Sequence, residues 1–114
     1  MFKRSDENLL LDIHESVCKI EKYIDKNNFE EFSHDDKTID AVVRNLEIIG
    51  EAAHKISEQF KTLNPNIEWR KIIGLRNRIV HEYFGIDLNI IWEVVSIYIP
   101  MMKKDIEILL KIGQ

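Results

Sequence analysis

Arg76 stands near the middle of a face that is otherwise apolar, and a fold for this chain has to give it a partner. At about 100° per residue, a helix from Glu68 to Phe84 puts Trp69, Ile72, Ile73, Ile79, Val80, Tyr83 and Phe84 on one wide arc. A guanidinium keeps its charge and is rarely fully buried alone, so this position asks for an explanation that an ordinary core helix does not supply. Asn77 and His81 are four residues apart and therefore side by side. They border a polar face carrying Arg70, Lys71, Arg78 and Glu82. Tyr83 lies two turns beyond Arg76, within about 20° of it around the helix.

The 114 residues suit a single domain spanning 1–114, and an apolar fraction of 45% is enough for one modest core. Phe2-Lys3-Arg4-Ser5-Asp6 runs straight into an amphipathic pattern, unlike a signal peptide, and no apolar run approaches a membrane span. The expectation is a cytoplasmic protein with no membrane partner. Cys18 is the sole cysteine, so one chain can form neither an internal disulfide nor a thiol cluster. The net charge of −4 argues against a protein that coats nucleic acid through its overall field. Yet Arg70, Lys71, Arg76 and Arg78 face only Glu82 within residues 69 to 83, a small basic site on an acidic body that suits local phosphate contact.

Apolar spacing of three and four residues predicts four main helices in an all-α bundle. The first runs from about Asp6 to Asn27 on Leu10, Ile13, Val17, Ile20 and Ile24. A second, capped within Ser33 to Asp36, reaches about Leu63 with Val42, Val43, Leu46, Ile49, Ala53, Ile56 and Phe60 inside, and Asn64-Pro65-Asn66 breaks it. The third spans about Glu68 to Phe84 and stops at Gly85. Asp87 caps the fourth, whose stripe is Ile91, Val94, Val95, Tyr98, Met102 and Leu109, with a kink expected at Pro100.

Asp40, Arg44, Glu47 and Glu51 form a polar stripe on the second helix, either a solvated face or a source of a carboxylate, Glu47 or Glu51, that turns toward Arg76. Asn45, on the apolar side, is a candidate to hold a neighbouring helix's backbone. Glu51-Ala52-Ala53-His54 has the E-x-x-H spacing of carboxylate metal sites, but these residues lie opposite the apolar arc, so no metal and no cofactor are expected. Scattered glycines exclude a phosphate cradle, and His14 and His34 read as surface residues.

His81 with Arg76 remains. Cutting RNA without a metal needs a group to take the 2′-hydroxyl proton, a group to protonate the leaving oxygen, and positive charge on the phosphate. Histidine can serve either proton role and arginine the third. One chain has one suitably placed histidine. A two-fold dimer joining two copies of the third helix would gather two histidines and two arginines in one cleft, and would also account for an arginine in an apolar face.

These stretches resemble a HepT-like member of the HEPN superfamily, small helical proteins whose active members are metal-independent ribonucleases. Asp40-Ala41-Val42-Val43-Arg44-Asn45-Leu46-Glu47-Ile48-Ile49-Gly50-Glu51-Ala52 is similar to the family's second helix, and Pro65 followed by Trp69 to the approach to its motif. Arg76-Asn77-Arg78-Ile79-Val80-His81 resembles its arginine, four to six residues, histidine signature, with Tyr83 completing the extended form. The resemblance implies an antiparallel HEPN-like bundle dimerising through the motif helix, with Arg76 and His81 catalytic and Asn77 positioning; beside it, the reading of the residues themselves offers Glu47, Glu51 and Arg78 as candidates to support that site. The resemblance also implies the toxin of a toxin-antitoxin pair whose partner, a minimal nucleotidyltransferase, adenylylates Tyr83. The alternative is a non-catalytic HEPN subunit that binds a nucleotide or serves as adaptor to a nucleotidyltransferase.

Overall fold

Helix caps written into the sequence set most of the boundaries. The computed structural model describes residues 5–81 and 85–112, and among these there are helices and no strand. Ser5 opens α1 (Asp6–Ile24), its hydroxyl accepting from the Asn8 N–H at 3.1 Å and satisfying a donor of the first turn. The helix stops short of Asn27 because Asp25 leaves the helical conformation and Lys26 is left-handed, with φ 65°. Asn28 and Glu31 then form a reciprocal capping box that starts α2 (Phe29–Ser33), where the sequence reading placed only a connection. This short helix buries Phe32 completely, its ring 5.2 Å from that of Trp92.

The central element is α3 (Asp36–Lys55), against which both α1 and α5 pack. Val42, Val43, Leu46, Ile49 and Ala53 are buried along it. Asn45 is buried too, but its amide donates to the Ala41 carbonyl of its own helix at 2.8 Å rather than to a neighbour. The long second helix expected to reach Leu63 is in fact two. Ile56 turns extended, ψ 142°, with its side chain in the core, and Ser57 caps α4 (Glu58–Leu63) by accepting from the Phe60 N–H at 3.2 Å. Asp6 fixes this break from α1, its carboxylate accepting from the Ser57 N–H at 2.9 Å and hydroxyl at 2.7 Å.

After the Pro65 turn, the Trp69 indole N–H donates to the Asn64 carbonyl at 3.0 Å and seats the start of α5 (Trp69–His81). The expected continuation to Phe84 lies outside the described residues. Asp87 caps α6 (Leu88–Glu93), and the chain continues through a π-helical segment, Val94–Tyr98, into α7 (Ile99–Leu110). Pro100 has no N–H, and the helix accommodates it by widening, with the Ile99 N–H bonded to the Val94 carbonyl. The wide segment takes up an extra residue and shifts the buried stripe, so Ile99 and Ile106 are buried where Tyr98 was expected. His14 is not a surface residue. Half-buried on α1, it meets Glu107 of α7 through Nε2 at 2.8 Å, beside a Cys18 thiol whose pKa burial pushes up.

Asp35, the cap of α3, should make part of the stability pH-dependent. Hydrogen bonds from the Thr38 hydroxyl and then its backbone N–H hold the Asp35 carboxyl below its ordinary value of 3.8. Its contribution is therefore full above that ordinary value and lost as pH falls through the lower folded-state pKa. Thermal melts should show Asp35→Ala less stable than wild type at neutral pH, with the gap closing below about pH 4.

Candidate active site on α5

Two residues of α3 decide where α5 lies. A Cβ on Gly50 would overlap Cβ and Cγ of Arg76 and press on the Ile72 carbonyl, so the absent side chain is what admits the α5 backbone at this point. The next residue, Glu51, then reaches the guanidinium. Its Oε1 accepts from Arg76 Nη2 in an ion pair, while Arg76 Nη1 donates to Asn77 Oδ1 at 3.1 Å. The buried Nε has no acceptor among the described residues. Carboxylate and amide thus hold the guanidinium plane from two sides, and with 30% of its side chain exposed Arg76 can still meet an anion.

Not every expected member joins this cluster. Glu47 leans toward Arg44, 3.9 Å away on its own helix, and among the described residues makes no ion pair or hydrogen bond with Arg76. Asn77, Arg78 and His81 are exposed. Arg78 lies near the start of α6, where its charge adds to the Asn89 hydrogen bonds that hold the Asp87 carboxyl below its ordinary value. His81, the last residue of α5, has no hydrogen bond to Arg76 or Asn77 among the described residues. His81 stands five positions after Arg76, a rotation of about 140°, so one chain does not bring guanidinium and imidazole onto one face. Tyr83 lies outside the described residues.

Among the described residues, the rest of the apolar arc is only partly covered. Trp69 and Ile79 are buried, Ile72 and Ile73 half-buried, and Val80 is 47% exposed. Between α5 and the rod from α6 to α7 runs a groove of about 720 Å³, lined by Ile67, Ile72, Leu75, Val94, Tyr98 and Met101 among others. Met101, which lines it, exposes 60% of its surface. Among the described residues no group of three or more His, Cys, Asp or Glu side chains is placed to share a metal ion, and no helix is long and apolar enough to cross a membrane. The residue that sequence reading missed is Gly50. Its signal was its place one residue before Glu51 on the inner side of α3, visible only once α5 is known to cross there.

Known proteins match along nearly the whole chain. A family described as ribonuclease HepT-like matches residues 13–109. A protein of Thermococcus cleftensis named "Probable ribonuclease HepT" is 43% identical over 109 residues, covering 96% of this chain and 99% of the relative. A Methanocaldococcus jannaschii protein named "Putative RNase" is 39% identical over 108 residues, covering 95% of this chain and 99% of the relative. Another, from Caldanaerobacter subterraneus, is 38% identical over 84 residues, covering 74% and 75%. No solved structure matches.

Gly50→Ala isolates the contact between α3 and α5. Alanine gains about 1 kcal/mol of helix propensity over glycine. However, its methyl would meet a Cβ that cannot move without the α5 backbone, and such overpacking costs about 1–3 kcal/mol. Chemical denaturation should therefore find Gly50→Ala less stable than wild type. A variant as stable as wild type would mean that α5 docks by other contacts.

Proposed function

The chain belongs to the HepT-like ribonuclease family, and from that membership and the geometry of α5 we propose that it is an endoribonuclease that cuts RNA without a metal ion. The observation that carries the reading is the Arg76 guanidinium, oriented by Glu51 and Asn77 yet still open to solvent, on the same short helix as the exposed imidazole of His81. In the proposed reaction, one His81 imidazole takes the proton of a ribose 2′-hydroxyl. The resulting oxygen attacks the adjacent phosphorus, and Arg76 stabilises the pentacoordinate phosphate. The 5′-oxygen of the next nucleotide leaves with a proton from a second imidazole, the partner's His81. The products are a 2′,3′-cyclic phosphate and a free 5′-hydroxyl.

The second imidazole comes from a homodimer formed around α5. Support for it comes from the rotation between Arg76 and His81, which leaves the site divided in one chain, and from the uncovered apolar surface of Val80, Tyr98 and Met101. The nuclease acts in the cytoplasm as the toxin of a toxin-antitoxin pair. Its antitoxin is a minimal nucleotidyltransferase that moves an adenylyl group from ATP to the Tyr83 hydroxyl, releasing pyrophosphate. With Tyr83 two residues beyond His81, the added phosphodiester charge and adenosine bulk would compete with substrate phosphate for Arg76.

Purified protein in chelator should cleave RNA, spare DNA and leave a 2′,3′-cyclic end. His81→Ala should abolish cleavage, and Arg76→Ala should lower it by about a hundredfold, the usual scale for losing one stabiliser of transition-state charge. Full activity in His81→Ala would remove the mechanism. Co-expression with the cognate nucleotidyltransferase should give an adenylylated peptide containing Tyr83 and an inactive nuclease, with Tyr83→Phe escaping. Equal neutralisation by a catalytically dead partner, with no adduct in the mass spectrum, would show that inhibition is by binding alone.

A further inference from the structure

Gly74 sits in the middle of α5, where a Cβ would meet nothing within 4 Å. Glycine weakens a helix interior relative to alanine. At Gly50 the weakness has a reason inside the protein, because Arg76 fills the space; at Gly74 it has none among the described residues. A missing side chain on an open helix face suits a ligand that comes close to the backbone.

What surrounds Gly74 points to the kind of ligand. At about 100° per residue, Arg70, Gly74, Asn77 and His81 fall within roughly 60° of arc, on the side of α5 opposite Ile72 and Ile79. Arg70 is exposed and makes no ion pair or hydrogen bond among the described residues. Lys71 beside it is committed elsewhere, 3.1 Å from Glu68 and over the Tyr98 ring at 5.6 Å. Arg78 stands one turn past Gly74, so arginines flank the low point of the ridge on both sides. Two such faces meeting around the paired His81 residues of the proposed dimer would set guanidiniums against guanidiniums, a repulsion that a polyanion lying between them relieves. A polyanion would be attracted.

We propose that Arg70 and Gly74 form a track for the phosphate backbone of single-stranded RNA leading to His81: Arg70 binds one phosphate about 16 Å along the helix from His81, and Gly74 lets the strand lie against the helix between them. The proposal rests on the nuclease reading for its substrate and adds the path by which that substrate is held. Arg70 is a binding residue here, outside the reacting centre.

The test is fluorescence anisotropy of the full chain with a single-stranded RNA whose 2′-hydroxyls are methylated, so that it binds but is not cut. Arg70→Ala should raise Kd about tenfold and flatten the dependence of log Kd on log salt by about 0.7. Gly74→Gln should raise Kd similarly while raising Tm by about 4 °C, since it improves the helix. Lys19→Ala, which removes an exposed charge on α1, should change neither. Wild-type Kd in both α5 variants would overturn the track. So would a Gly74→Gln protein that sediments as a monomer while wild type is a dimer, because the glycine would then serve a second copy. A protein that binds this RNA through Arg70 and Gly74 but leaves unmodified RNA uncut would keep the track and remove the nuclease reading. A nuclease with wild-type Kd in both variants would do the reverse.

Discussion

Everything at the candidate site depends on how closely α5 approaches α3 at Gly50. Without a side chain there, the stem of Arg76 fits against the α3 backbone, and the guanidinium arrives beside the carboxylate of the next residue, Glu51. Burying the stem of an arginine is favourable, whereas leaving its charge unpaired near a core is not. The Glu51 carboxylate and the Asn77 amide resolve that conflict and at the same time fix the plane of the guanidinium. The structural ion pair and the phosphate contact proposed for Arg76 thus depend on the same guanidinium, and removing Glu51 would loosen both.

The face of each main helix that meets the core could be read from apolar spacing because burial is periodic, and Val17, Leu46 and Ile91 are buried where that spacing puts them. Boundaries were less legible where a local cap overrode the spacing. Ile56 and Phe60 fit one continuous helix as well as two, and only the pairing of Ser57 with the distant Asp6 selects the break. Proline at position 100 announced a disturbance but not its form, since a widened π segment and a bend both accommodate a missing N–H. Asn28 and Glu31 held a capping box in plain view, hidden by how short the helix after them is.

For the site, an arginine in an apolar arc was enough to require a partner, and helical periodicity narrowed the candidates to Glu47 and Glu51. The choice between them was not in the sequence. It depends on where α5 crosses α3, which Gly50 sets, and Glu47 lies a turn away with Arg44. The dispersion of Arg76 and His81 around α5 follows directly from their five-residue spacing, and that geometry carries the proposal of a shared cleft between two copies.

The most direct test of the account is a double-mutant cycle on RNA cleavage between Glu51 and Arg76. If Glu51 acts by aiming the guanidinium, Glu51→Gln should lower kcat/KM in the wild-type background and cost nothing further once Arg76 is already alanine. Losses that simply add, or a Glu51→Gln enzyme with full activity, would contradict the claim that the contact between α3 and α5 builds the site.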